Sequence, residues 1–287
     1  MRATPLFIDT DIGTDIDDAY ALVYALKHPN ARVLGITTVS GDTTIRANIC
    51  HKLLSVLRKE VPIGVGMADS AIMSQQKYVE DYGFIEYDEA LKLMEQVISA
   101  CKGAITIVAL GPLTNIANFI RSYPELSHNL NIVLMGGALS RGYFGCPLKP
   151  FKLEYNIKCD IKSAQYVFES NCRLTMVGLD VTSTLKLPKT KRKEWKKSDL
   201  PILRELQALQ SLKDKYLWYT PTIMYDPLAV EQAISNICEI EKMYLRVTKL
   251  GFTKPAKEKD TPRVNVCTSV DKHLFFKKFY ETLENEY

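Results

Sequence analysis

The sequence predicts an α/β fold: a single Rossmann-like domain with a mainly parallel central sheet, helices on both faces and a short antiparallel extension near the C-terminus. Short β-branched and apolar runs alternate with amphipathic stretches, which is the rhythm of a parallel sheet. The run at 104–110 is almost entirely apolar, as is typical of a strand covered on both faces. No repeat and no Gly-, Ser- or Pro-rich linker divides the 287 residues, so we interpret 1–287 as one domain.

The chain up to residue 179 predicts strands and helices in strict alternation. Helix 17–27 begins with acids suited to the positive end of a helix dipole and ends at a His-Pro-Asn turn. Helix 43–57 carries apolar residues at helical spacing. The predicted strands are 6–8, 32–39, 61–65, 104–110, 131–135 and 174–179, and the helices between them are 17–27, 43–57, 87–100, 113–121 and 160–169.

The pattern changes after Pro188. Residues up to 219 are predicted to be helical, and a further helix follows Asp226. Residues 243–249 and 263–268 predict two strands joined by a charged connection, which we interpret as an antiparallel pair at a sheet edge. A final helix is predicted at 270–285 to close the chain.

Composition and charge favour an ordinary globular enzyme, with 46% hydrophobic and 24% charged residues. No signal-peptide pattern and no run of about 18 apolar residues occurs, so a cytoplasmic location and no membrane partner are expected. Seven scattered cysteines without a CxxC pair indicate reduced thiols rather than a disulfide framework or a zinc site. The basic run at 186–197 is interpreted as a solvated connector, and no nucleic-acid partner is expected.

Acidic residues follow several of the predicted strands. Asp9 and Asp11 come after the first strand, Asp42 after the second and Asp180 after a later one, while Asp226 opens a late helix. Ligands bind at the carboxyl ends of parallel strands. One edge of the sheet is therefore expected to collect these carboxylates.

The first acidic group is the most informative, because five aspartates fall within ten residues: Asp9, Asp11, Asp15, Asp17 and Asp18. A fold would not keep so many like charges together without a compensating cation. Oxygen ligands favour calcium or magnesium, and calcium tolerates an irregular set of about 6–8 of them. An acidic helix N-terminus would explain Asp17 and Asp18, but not Asp9 and Asp11. The cluster predicts a metal-dependent hydrolase.

Two other acidic motifs share features with this cluster. An EF-hand loop starting at Asp9 would need an oxygen ligand at position 13 and Glu at position 20, where Gly13 and Tyr20 stand, so that motif is excluded. A magnesium-dependent phosphatase using Asp9 or Asp11 as nucleophile also begins with a strand and Asp-x-Asp. It normally has Thr or Val where Gly13 stands, and it remains the weaker alternative.

An ordered series of short motifs extends along nearly the whole chain: DTDIG at 9–13, DDAYAL at 17–22, TTVSG at 37–41, ALGPLTNIA at 109–117, LMGG at 134–137, EYN at 154–156, MVGLDVT at 176–182 and YDPLA at 225–229. Together they resemble the inosine–uridine-preferring nucleoside hydrolase family. The resemblance implies calcium-dependent hydrolysis of the N-glycosidic bond of ribonucleosides to free base and ribose, by a homodimer or homotetramer. A non-catalytic nucleoside-binding protein on the same scaffold is the other alternative.

The resemblance also implies roles for individual residues. Asp11, Asp18, the carbonyl of Leu110 and Asp226 would bind Ca²⁺, with Asp15 as a possible further ligand. The implied catalytic residues are Asp11, Asp17 and Asp226, with Asp11 as general base on a calcium-bound water. The implied substrate-binding residues are Asp17, Asp42, Met135, Glu154, Asn156, Tyr225 and Asp226, together with Tyr82, Trp218 and Tyr219 from two loops expected to stack on the base.

Two departures from the family pattern leave roles open. Thr14-Asp15-Ile16 stand where the shorter form of the family has a single residue, so Asp15 is an alternative to Asp17 or Asp18 in some role. Tyr225 stands where many members have the His that is proposed to protonate the departing base. Because a tyrosine has a pKa near ~10, it is a weaker donor at neutral pH.

Overall fold

A ten-stranded sheet forms the centre of the molecule in a computed structural model that describes residues 3–127, 130–146, 153–218, 220–257 and 262–285. The strands are β1 Thr4–Thr10, β2 Ala31–Thr38, β3 Ile63–Val65, β4 Asp88–Glu89, β5 Thr106–Ala109, β6 Asn131–Met135, β7 Arg173–Val177, β8 Cys238–Val247, β9 Thr253–Pro255 and β10 Arg263–Val270. Their order across the sheet is β4-β3-β2-β1-β5-β6-β7-β10-β8-β9. In this order, every neighbouring pair from β4 through β7 to β10 is parallel. The last two pairs, β10 with β8 and β8 with β9, are antiparallel.

Helices cover both faces of this sheet. They are α1 Asp17–Lys27, α2 Thr43–Val56, α3 Ala90–Ala100, α4 Thr114–Ser122, α5 Pro124–Ser127, α6 Tyr155–Cys159, α7 Ile161–Glu169, α8 Leu179–Thr182, α9 Lys189–Trp195, α10 Pro201–Tyr216, α11 Tyr225–Ser235 and α12 Lys272–Glu284. Side chains alternate across β1, so Leu6 and Ile8 pack into one core with α1, α11 and α12, while Phe7 packs into the other with α3, α4 and α7. The predicted α/β fold with helices on both faces is confirmed.

The observed elements agree closely with the predicted ones at several points. Helix α1 and strand β6 have the predicted bounds, and the predicted antiparallel pair is present as β8 and β10. The helix predicted at 87–100 begins only at Ala90, because Asp88 and Glu89 pair with β3 as an edge strand. Strand β1 extends beyond the predicted 6–8, so Asp9 lies inside the strand rather than after it.

The basic run after Lys186 forms α9, which packs against the C-terminal helix. Trp195 is buried, and its indole nitrogen donates to Glu284 at 2.7 Å. Lys191 pairs with the same carboxylate at 2.7 Å. Within the described residues, no helix is both long and apolar enough to cross a membrane.

The carboxyl edge of the sheet is closely packed where the loops after β1 and β5 meet. A Cβ atom on Gly111 would lie 2.8 Å from a methyl group of Val39 and 3.1 Å from the Cβ of Asp11. Only glycine fits at this contact. The close approach brings the carbonyl of Leu110 beside the acidic loop after β1.

Candidate active site

A cavity of about 650 Å³ opens at the carboxyl edge of the parallel strands. Its walls come from the loops after β1, β5 and β6, from the N-terminal ends of α1, α6 and α11, and from two further segments, one with Ile72 and Ser74 and one at the end of α10. The lining residues are Asp11, Thr14, Asp15, Asp17, Asp18, Ile72, Ser74, Leu110, Met135, Tyr143, Phe144, Glu154, Tyr155, Asn156, Tyr216, Leu217, Thr220, Tyr225 and Asp226. The structure therefore brings most of the predicted site residues to one place.

Three aspartates form a compact group at the N-terminal ends of two helices. Asp17 and Asp18 begin α1, and Asp226 is the second residue of α11. One carboxylate oxygen from each lies within 4.8 Å of the others, and all three side chains are buried. Burial raises the pKa of each carboxyl well above its usual range, and repulsion from neighbouring aspartates, Asp11 and Asp15 among them, adds to the rise. A cation bound among them would relieve both penalties.

Asp11 faces the same cavity from the loop after β1. It is buried, and burial raises the pKa of its carboxyl, while the nearby Arg46 guanidinium partly lowers it. The hydroxyl of Thr10 donates to Asp18 at 2.5 Å, which orients that carboxylate. Asp11 is thus a carboxylate in the cavity but outside the three-aspartate group.

Arg46, which the sequence reasoning missed, supports the acidic loop from α2. Its side chain is fully buried and donates to the main-chain carbonyls of Asp11, Ile12 and Ser40. One guanidinium therefore orients the backbone that carries Asp11 and places a positive charge beside the acids. The available signal was helical spacing, because Arg46 precedes Ile49 by three residues and Leu53 by seven and so shares the buried face of α2.

Asn156 and Glu154 join the loops after β5 and β6. The amide nitrogen of Asn156 donates to the carbonyl of Leu110 at 2.7 Å and to that of Met135 at 3.0 Å. The carboxylate of Glu154 caps α6 and accepts from the backbone nitrogens of Asn156, Ile157 and Gly137 at 2.9–3.0 Å. Burial raises the pKa of Glu154, and these three hydrogen bonds oppose the rise. Both side chains are held rigidly in the cavity wall.

Tyr143, Tyr155 and Tyr225 also line the cavity, and we call these three side chains the aromatic wall. The rings of Tyr143 and Tyr225 meet edge to face with centroids 6.0 Å apart, and the Tyr143 hydroxyl accepts from the backbone nitrogen of Tyr155 at 2.7 Å. The buried hydroxyl of Tyr225 makes no hydrogen bond of normal geometry within the described residues. Burial raises the pKa of Tyr225, so its hydroxyl stays protonated at neutral pH. Neither Tyr143 nor Tyr155 was singled out from sequence.

Three of the expected substrate-binding residues, Asp42, Tyr82 and Trp218, do not line the cavity. Asp42 instead caps α2, accepting from the backbone nitrogens of Thr44 and Ile45 at 3.0 Å each. Tyr82 lies away from the cavity because its hydroxyl bonds to His51 of α2 at 2.6 Å. Trp218 is 79% exposed and is not a lining residue, and Tyr219 lies outside the described residues.

Two other acids have partners that set them apart from the three-aspartate group. Asp9 is fully buried within β1 and accepts from Thr37 at 2.6 Å and Asn115 at 2.8 Å, away from the cavity. Asp15 lines the cavity, but one of its oxygens lies 3.8 Å from the ammonium of Lys213.

A parallel α/β sheet with buried carboxylates and an aromatic wall at its carboxyl edge defines an enzyme that acts on a small molecule at an acidic site. The family model described as inosine-uridine preferring nucleoside hydrolase matches residues 6–277. The chain belongs to this family, which confirms the resemblance carried by its motifs.

Relatives agree with this assignment, and solved structures share the fold. The non-specific ribonucleoside hydrolases RihC of Klebsiella pneumoniae (strain 342) and Salmonella paratyphi A (strain ATCC 9150 / SARB42) are 34% identical over 196 and 195 residues. Each match spans 62% of this chain and 62% of the relative. A plant nucleoside hydrolase, PpNRh1, shares the fold with a TM-score of 0.83 at 23% identity over 99% of both chains. A purine-preferring ribonucleoside hydrolase from Gardnerella vaginalis has a TM-score of 0.82 at 23% identity over 98% of both. These comparisons lend no support to the phosphatase or non-catalytic alternatives.

Proposed function

We propose that the protein hydrolyses the N-glycosidic bond of ribonucleosides, releasing free base and ribose, with Ca²⁺ as its cofactor. The observation that carries this proposal is the group of buried carboxylates that shares one cavity with aromatic side chains, in a chain of the nucleoside hydrolase family. The cavity volume of about 650 Å³ suits a small ligand with a flat ring.

The donor set fits a hard cation. Asp17, Asp18 and Asp226 offer three buried oxygens within 4.8 Å of one another, and Asp11 and the carbonyl of Leu110 line the same cavity. Ligands that are all oxygen favour calcium or magnesium over zinc, and an irregular mixture of carboxylates and a carbonyl favours calcium. When bound, the ion lowers the pKa of a water and fixes the ribose diol. We assign Asp11, Asp18, Leu110 and Asp226 to hold it.

The carboxylates also explain how the bond would be broken. Cleavage of an N-glycosidic bond develops positive charge on the sugar ring, and surrounding carboxylates stabilise that charge. In our proposal Asp11 removes a proton from the attacking water, a role that contributes about 10²- to 10⁴-fold. Asp17 and Asp226 add negative charge around the sugar and further stabilise its developing positive charge.

Ribose and base would occupy different parts of the cavity. We assign Asp17, Met135, Glu154 and Asn156 to the ribose, because all four line the cavity and the family resemblance implies this role. Glu154 and Asn156 are held in place by hydrogen bonds to the backbone. The aromatic wall would stack on the base. The protonated hydroxyl of Tyr225 would donate a hydrogen bond to the departing base in the place of the family's histidine.

A nucleoside panel tests the proposed function. Purine, pyrimidine and modified nucleosides are incubated with the protein and Ca²⁺, and free ribose is measured. We expect release from at least one nucleoside, loss of release with a chelator and a fall in kcat of about 100-fold or more in Asp11→Ala. Asp199→Ala, at an exposed aspartate outside the cavity, is the matched control and should keep wild-type activity. Tight nucleoside binding without turnover, or phosphate-ester hydrolysis without ribose release, would overturn the proposal.

We also propose a homodimer or homotetramer. The family resemblance supports this assembly. Sedimentation equilibrium of the purified protein tests it, and a mass equal to a single chain of 32.5 kDa would contradict it.

A further inference from the structure

Thr14, Asp15 and Ile16 form an insert that links the acidic cluster to two walls of the cavity. On one side, the Thr14 hydroxyl donates to the carbonyl of Ile72 at 3.2 Å, and the Ser74 hydroxyl donates to the carbonyl of Thr14. Ile72 and Ser74 both line the cavity. The insert therefore anchors this first wall directly to the residues that precede Asp17.

On the other side, Asp15 meets a buried ammonium group from α10. Lys213 is fully buried, and its Nζ lies 3.8 Å from a carboxylate oxygen of Asp15. The same Nζ donates to the carbonyl of Thr220 at 3.2 Å and lies 4.0 Å from Asp214. Asp214 already pairs with Arg192 and accepts from Gln210 at 2.9 Å. Because a buried ammonium needs acceptors, we take Asp15 and the carbonyl of Thr220 to hold the Lys213 side chain in place.

Lys213 also lies at the start of the second wall. Its carbonyl accepts from the backbone nitrogen of Leu217 at 2.8 Å, and the carbonyl of Leu217 accepts from the nitrogen of Thr220 at 2.9 Å. Tyr216, Leu217 and Thr220 all line the cavity. The conformation of this wall therefore depends on a lysine whose charge partner in the cavity is Asp15.

The surroundings of Asp15 disfavour a divalent cation. The oxygen that faces Lys213 accepts a hydrogen bond from the backbone nitrogen of Ile16 at 2.7 Å, and the ammonium lies 3.8 Å from it. A metal ion on that carboxylate would be repelled by the ammonium less than 4 Å away.

We propose that Asp15 is a positioning residue: through Lys213 it holds the wall of Tyr216, Leu217 and Thr220 against the acidic cluster, and so sets nucleoside binding rather than metal binding. This inference rests on the proposed function for its effect on KM. The insert thereby joins the segment with Ile72 and Ser74 to the wall of Tyr216, Leu217 and Thr220.

Substitutions at Asp15 and Asp214 test the proposal, because their carboxylates lie at similar distances, 3.8 and 4.0 Å, from the Nζ of Lys213. Asp15→Asn should raise KM for the best nucleoside about tenfold with kcat within about twofold. Its affinity for Ca²⁺ alone, measured by isothermal titration calorimetry, should stay within about twofold of wild type. Lys213→Met should reproduce the rise in KM. Asp214→Asn, whose carboxylate does not line the cavity, should leave KM unchanged.

A second measurement does not depend on activity. Amide hydrogen exchange at Leu217 and Thr220 should accelerate in Asp15→Asn and Lys213→Met, but not in Asp214→Asn. A fall in Ca²⁺ affinity of tenfold or more in Asp15→Asn, or unchanged exchange in both variants, would overturn the proposal. If the wild type releases no ribose, the proposed function fails, while the exchange result still decides whether Asp15 holds the wall.

Discussion

Arg46 and Lys213 show how buried cations make an acidic cluster tolerable. Each is fully buried beside acids of the cavity, and each also donates to main-chain carbonyls. Arg46 orients the loop that carries Asp11, whereas Lys213 faces Asp15. The two side chains therefore combine charge compensation with control of backbone geometry.

Replacing Arg46 by methionine should damage both metal binding and stability. The carbonyls of Asp11, Ile12 and Ser40 would lose their donor, and the acids would lose a nearby positive charge. We expect Ca²⁺ affinity to fall about 10- to 100-fold and the free energy of unfolding to fall by about 3 kcal/mol. Titration calorimetry and urea denaturation measure these changes, with Arg32→Met at an exposed arginine as control. Wild-type values for both quantities would contradict this role.

Asp42 provides a test of the structure against the family resemblance. Its carboxylate caps α2, so Asp42→Ala should lower the free energy of unfolding by about 1 kcal/mol. Because the side chain does not line the cavity, kcat/KM should stay at the wild-type value. Asp42→Asn keeps a good capping residue and should restore the lost stability. A large rise in KM in either variant would show that Asp42 contacts substrate after all.

At the scale of elements, the N-termini of α1 and α11 bring together carboxylates that are more than 200 residues apart in sequence. The partial positive charge at each helix start favours the negative side chains there. Both helices belong to the same core, and α12 packs beside them. The geometry of the carboxylate group therefore depends on helix packing well away from the cavity.

Phe279 of α12 is the clearest test of this packing. Its ring is fully buried, with its centroid 6.0 Å from that of Tyr20 of α1 and 6.2 Å from that of Trp195. Phe279→Ala should lower the free energy of unfolding by about 3–5 kcal/mol, because it leaves a cavity in the core. Leu274→Ala, on the same helix but 43% exposed, is the matched control and should cost far less. Urea denaturation compares the two, and equal losses would contradict the packing.

At the scale of the whole molecule, the stability of the metal-free protein should depend on pH through its buried acids. Burial raises the pKa of Asp9 to about 7 from an ordinary 3.8. The folded state then binds more protons than the unfolded state between these values. Stability due to this group is present below about pH 4 and is lost as the pH rises to about 7.

The variant Asp9→Asn isolates this contribution. The second oxygen of Asp9 has no hydrogen-bond partner in the described structure, and an amide keeps the oxygen that accepts from Thr37 and Asn115. With a chelator present, the wild type should lose about 1.4 kcal/mol of unfolding free energy per pH unit from this group across that range. The variant should show a correspondingly smaller slope in urea denaturation. Equal slopes would mean that Asp9 does not titrate there.

Much of the candidate site could be predicted because its residues follow strands or open helices. Asp11 and Leu110 come at the ends of β1 and β5, and in a parallel sheet such ends meet at one edge. Asp42 shows where this logic fails. An aspartate after a strand faces the cavity or caps the next helix according to the local backbone direction, which the pattern of residue types does not specify.

The acidic cluster, the alternation of strands and helices and the family motifs were determined by the sequence alone, because each depends on residues close together in the chain. Only the tertiary structure decided that Arg46 supports the acidic loop, that Tyr143 and Tyr155 form the aromatic wall and that Asp15 pairs with Lys213. Arg46 and Asp11 are 35 positions apart in the sequence, and Asp15 and Lys213 are about 200 apart. Local periodicity carries no information about such pairs. The physical reason is that Arg46 and Lys213 need acceptors only because they are buried, and burial exists only after the chain has folded.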